Sequence, residues 1–109
     1  MKPQNIFTLA EVEKIGACLE LGLKEEFIPA WEFSTLIPAK REEAIELVRR
    51  WPNVNIAEEK TWLITYGILA NLWGYPHGET EWLERVIDED KCIIKTWFNK
   101  IKTSAFVPK

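Results

Sequence analysis

Between Lys60 and Glu79 the chain carries no Asp, Glu, Lys or Arg. The stretch that leads into this gap, Asn55 to Trp73, loses its charges after what would be a first helical turn. With about 100° between successive helical residues, Trp62, Tyr66, Leu69 and Trp73 project to one side, and Ile64, Ile68 and Leu72 to the nearly opposite side. A helix that is apolar on two faces is covered by neighbours on both flanks. The sequence therefore predicts a buried central helix over 55–73. Asn55 and Glu58 would cap its start and Gly74 would stop it.

The remaining chain supplies helices to cover it. Thr8 followed by Glu11 is a capping box, with Phe7 and Val12 placed to staple the entry. It predicts a helix over 9–21 whose inner stripe is Leu9, Val12, Ile15, Gly16, Leu19 and Leu23. Cys18 falls at the margin of that stripe, partly exposed. Gly16 would admit a close neighbour, and Gly22 would end the helix. Pro38 opens a second helix with Ala44, Leu47, Val48 and Trp51 inward. Its outer face carries Glu42, Glu43, Glu46, Arg49 and Arg50, with Glu46 and Arg50 spaced as an i,i+4 pair.

Thr80 is placed to cap a fourth helix with Trp82, Leu83, Val86 and Ile87 inward. After Asp88–Asp90 a fifth turns Ile93, Ile94, Trp97, Phe98 and Ile101 inward and sets Lys91, Lys95 and Lys102 along the opposite edge. Residues 31–37 fit this scheme least. Trp31, Phe33, Thr35 and Ile37 alternate like a short strand, for which 105–107 is the one candidate partner. The other reading is an apolar connector with a helical turn, lying over the core. The fold class expected is all-α: one domain over 1–109, a bundle of about five helices around the central one, with at most that minor β pairing.

A chain of 109 residues has room for one core, and 47% apolar with 28% charged residues is ordinary for a globular domain. Six tryptophans are the outlier. Most are expected in the core, with one or two left outside as binding anchors. Two cysteines without an apolar leader at Met1–Asn5 read as reduced thiols in a cytoplasmic protein. The uncharged run is broken by Thr61, Thr65, Asn71, Pro76 and His77, which argues against a membrane span of about 20 apolar residues.

The sequence offers little for chemistry. One histidine and two distant cysteines do not make a metal-ligand pattern, and Asp88-Glu89-Asp90 lacks the spacing of a calcium loop. No serine or cysteine is set near His77 in sequence as a nucleophile would be. No glycine-rich phosphate loop occurs. Neither a catalytic residue, a cofactor nor a metal is therefore expected, and the protein reads as a non-enzyme. Ala70 and Gly74 do have the spacing of a helix-turn-helix. The helix that would read DNA then offers Glu79, Glu81 and Glu84, which phosphates repel, so nucleic acid is not an expected partner.

The charge distribution is more informative. From Glu58 to Asp90, eight acidic residues face only Lys60 and Arg85, a local balance of −6 within a net charge of −3. Beside aromatic residues, such a segment suits docking of a basic partner protein, with carboxylates steering and an aromatic residue anchoring. The expected partner-binding residues are Tyr75, His77, Glu79, Glu81, Glu84 and Asp88. In size and charge the chain is similar to immunity proteins, antitoxins and phage inhibitors that block basic, often nuclease, active sites. No motif carries that likeness. The competing expectation is a structural or regulatory subunit forming a homodimer through an apolar interface. A helix-turn-helix regulator stands third.

Overall fold

The structure, a computed structural model, describes residues 1–105, and Ala105 by its backbone alone. A 3-10 turn at Pro3–Asn5 precedes six α-helices: α1 (Leu9–Gly22), α2 (Phe33–Leu36), α3 (Arg41–Arg50), α4 (Glu59–Gly74), α5 (Thr80–Ile87) and α6 (Cys92–Ala105). Among the described residues there is no strand, and the fold is all-α. No helix among them is long and apolar enough to cross a membrane.

The expected strand at 31–37 is replaced by the single helical turn of α2. Ala105, its proposed partner's first residue, ends α6, and 106–107 lie outside the described residues. Phe33 and Ile37 are four apart, so a helical turn puts both on one face, and both are buried while Trp31 and Thr35 are exposed. Alternation over so few residues contains this i,i+4 pair and does not distinguish the two structures.

The predicted central helix exists but shares its position. α4 packs on α6 and on α1, and α1 packs in turn on α5 and α3. Flanked on several sides, α1 buries a wider arc than one stripe, which is why Cys18 is fully buried rather than partly exposed. Leu9 moves the other way: the first residue of α1 projects past the edge of the core and is 75% exposed. At the far end, a Cβ on Gly22 would lie 2.3 Å from Ile68 Cγ2. Glycine here lets α1 and α4 approach, and Leu23, in ordinary right-handed geometry, provides the cap. The neighbour that Gly16 admits is Trp51, whose indole N–H donates to Val12 O at 3.0 Å.

The first cap forms as the sequence predicts. Glu11 N–H donates to Thr8 Oγ1, and Thr8 N–H to Glu11 Oε1. The second carboxylate oxygen of Glu11 accepts from Trp97 Nε1 at 3.2 Å, which ties α1 to α6. Other boundaries shift. α4 starts at Glu59 because Asn55 Oδ1 is occupied by the Met1 amino group and Ala57 N–H, capping a separate turn. α3 starts at Arg41, and Glu46 pairs with Arg49 at 2.8 Å rather than with Arg50. Thr80 is the first residue of α5, with Glu79 at the cap position.

The capping carboxylate gives a pH prediction. Thr8 N–H, assisted by the Trp97 indole, holds the Glu11 carboxyl below its ordinary value of about 4.5. A group depressed in the folded state contributes stability above its unfolded pKa and loses it as pH falls through its folded pKa. Glu11→Gln should therefore lower stability at neutral pH and flatten the decline below about pH 4.5. Urea midpoints across that range check this, and an unchanged pH profile would refute it.

The six tryptophans divide differently from expectation. Trp97 alone is fully buried, Trp51, Trp62, Trp73 and Trp82 are half-buried, and Trp31 is 79% exposed. Along α4 the side bearing Ile64, Ile68 and Leu72 is buried, whereas Trp62, Tyr66 and Trp73 stay half open. That asymmetry leaves a half-open aromatic surface along α4, next to Phe98 of α6.

Candidate acidic docking face

α5 is short and strongly amphipathic. Leu83 and Ile87 are buried toward α1, and the Trp82 ring packs on Phe27 at 5.1 Å. Glu81, Glu84, Arg85 and Asp88 fall on the other side of the helix. Asp88 ends the helix in the left-handed region (φ 55°), which Asp adopts more readily than most residues. The reversal folds Glu89 and Asp90 back beside the helix. The result is a shallow hollow of about 760 Å³ lined by Glu81, Glu84, Arg85, Asp88, Glu89 and Asp90.

Five carboxylates thus surround one guanidinium. Three of them also serve the fold. Glu84 accepts from Lys91 N–H at 2.8 Å, Glu89 pairs with Lys14 at 2.8 Å, and Asp90 accepts from Cys92 N–H at 2.8 Å. This last bond is the main reason the Asp90 carboxyl lies below its ordinary value. Glu81 and Asp88 have no hydrogen-bond or ion-pair partner among the described residues, so their charges are free to act on what approaches.

The six residues singled out from the sequence are not one cluster. Glu81, Glu84 and Asp88 line the hollow, while Tyr75, His77 and Glu79 build the α4–α5 turn. Tyr75 donates its hydroxyl to the Glu32 carboxylate, fastening that turn to the segment before α2. The hydrogen bond from Tyr75 to Glu32 also raises the Tyr75 pKa. His77 accepts from Glu79 N–H at Nδ1 (2.9 Å), which leaves Nε2–H to donate to Leu72 O at 2.8 Å. Its ring packs on Phe27 at 4.9 Å. Both nitrogens are thus spent on main-chain groups; Tyr75 and His77 hold the turn with their side chains, and Glu79 takes part through its main-chain N–H.

Neither thiol is activated. Burial pushes Cys18 up to about 12, and the hydrogen bond with Asp90 raises the exposed Cys92. No group of three or more His, Cys, Asp or Glu among the described residues is arranged to hold a metal ion. Sequence reasoning left Glu89 and Asp90 out of the site, although the same acidic run contains them. It also could not single out Trp31 as the exposed tryptophan. No protein family, curated protein or solved structure matches this chain.

Proposed function

We propose that this protein is a small acidic binding module that docks a basic partner protein through the outer face of α5, as immunity-type and phage-type inhibitors dock on nucleases. The hollow carries the reading: among the described residues it gathers five carboxylates on one concave surface with Arg85 as the sole cation lining it, and two of the five have no hydrogen-bond or ion-pair partner there. Such a surface raises the local concentration of a basic partner and speeds encounter. It repels nucleic-acid phosphates, which disfavours the DNA-reading alternative. Trp31 is the exposed aromatic residue best suited to anchor a contact once formed. It equally suits the competing reading, a self-associating subunit, and sedimentation separates the two: a stable homodimer would favour the subunit.

The test compares wild type with Glu81→Lys/Asp88→Asn. Asparagine keeps the left-handed geometry at position 88, and neither side chain is bonded among the described residues. A pull-down from source cells at low salt should retain a basic protein on wild type and lose it on the variant. Retention of the same protein by both would remove the α5 face as the docking surface.

A further inference from the structure

α4 carries no charged side chain after Lys60. Its outward residues are Leu63, Tyr66 and Ala70, with Trp62 and Trp73 along one edge, all of them half-buried. Two neighbours turn this face into a groove. The 36–38 segment forms one wall: Gly67 lets Ile37 lie against α4, where a Cβ would meet Ile37 Cγ1 at 3.3 Å. Asn71 Nδ2 fastens this wall by donating to Leu36 O at 3.4 Å. α6 forms the other wall. The groove encloses about 460 Å³ and is lined largely by Leu36, Pro38, Trp62, Leu63, Tyr66 and Ala70, with Lys102 as its charged residue.

The α6 wall is basic. Lys95 and Lys102 of α6, with Lys91 just before it, lie toward α4: Lys102 lines the groove, Lys95 Nζ sits 5.3 Å from the Trp73 ring centre and Lys91 Nζ donates to Trp73 O at 3.4 Å. Among the described residues none of the three has a carboxylate at ion-pair distance, and no acidic residue lines the groove. The aromatic floor is already ordered by edge-to-face contacts, Trp62–Tyr66 at 6.1 Å, Tyr66–Phe98 at 5.3 Å and Trp73–Phe98 at 6.1 Å. Pre-ordered anchors lose little entropy on binding.

We propose that this groove is a second docking surface, of opposite polarity to the α5 face, for an acidic amphipathic helix of a partner protein. Charge complementarity selects the acid: carboxylates on one side of the incoming helix meet the lysine edge, while its apolar residues at i, i+4 and i+7 enter the groove. From Trp62 to Asn71 the lining spans roughly 14 Å of helix axis, room for about two and a half turns. The described residues contain no strand edge on which an extended peptide could pair. The wall at 36–38 makes the surface concave, which fits a helix rather than a flat bilayer.

The experiment pans a random library of displayed 15-residue peptides against the full-length protein and measures the enriched peptides on two variants. Lys95→Glu/Lys102→Glu reverses the edge at two exposed positions, and Glu81→Lys/Asp88→Asn alters only the α5 face. The expected result is enrichment of Asp/Glu-rich peptides with apolar residues at helical spacing. Their affinity should fall about tenfold or more on the first variant and hold on the second. Basic peptides lost on the second variant would report the α5 face instead, so the two proposals fail separately. The groove proposal is overturned by the absence of an acidic bias, by binding indifferent to Lys95→Glu/Lys102→Glu, or by wild-type dimerisation that this variant abolishes. Co-sedimentation with phosphatidylserine vesicles, lost in the same variant, would overturn it in favour of a lipid surface.

Discussion

Trp97→Ala should destabilise the protein by about 3–5 kcal/mol, the largest single-residue effect expected in this fold. Trp97 is the largest fully buried side chain, and it lies where α6 meets α1. Truncation removes the apolar area of an indole and leaves a cavity that the surrounding side chains only partly fill. It also removes the donor to Glu11 Oε2, weakening the carboxylate that caps α1. Urea unfolding followed by circular dichroism measures the loss independently of tryptophan emission. A loss below about 1 kcal/mol would place Trp97 outside the core. The contrast is Trp31→Ala, which should stay within about 0.5 kcal/mol of wild type because its ring is already in water.

Leu69→Ala follows at about 2–5 kcal/mol. By helical angle Leu69 belongs with Trp62, Tyr66 and Trp73, yet it is fully buried while those three are half-buried. The aromatic residues pack edge-on against one another and Phe98 at the half-open side, whereas Leu69 is closed off from water. Cavity formation should therefore dominate at position 69. If Leu69→Ala costs no more than an exposed-helix substitution, α4 is not the shared floor on which α1 and α6 pack.

Much of this arrangement is legible from local chemistry. The Thr8–Glu11 box fixes the start of α1 because both partners are three residues apart, and spacing alone gives the buried Leu83 and Ile87 of α5 and Ile94, Trp97 and Ile101 of α6, although Val86, expected inward with them, is 39% exposed at the margin of its short helix. What escapes sequence reading is set by distant partners. Cys18 is buried because several elements close over α1, and Asn55 gives up the cap of α4 because Met1 reaches it from the chain start. The turn at 31–37 escapes for a different reason: a four-residue alternation and an i,i+4 pair share their buried positions.

The site divides in the same way. The carboxylates of the α5 face are visible as a run in sequence, since neighbours on one short helix remain neighbours in space. Tyr75 and His77 look equally available there, but Glu32 and Phe27, more than forty residues earlier, claim them. The groove on α4 has no sequence signature at all, because its walls come from 36–38 and from α6.

The central claim is that the α5 carboxylates steer a basic partner, and the direct measurement is the association rate against salt concentration. With the partner retained by wild type, stopped-flow association should slow by about tenfold or more from low to physiological ionic strength. For Glu81→Lys/Asp88→Asn the rate should start lower and change little. A wild-type rate indifferent to salt would contradict the account.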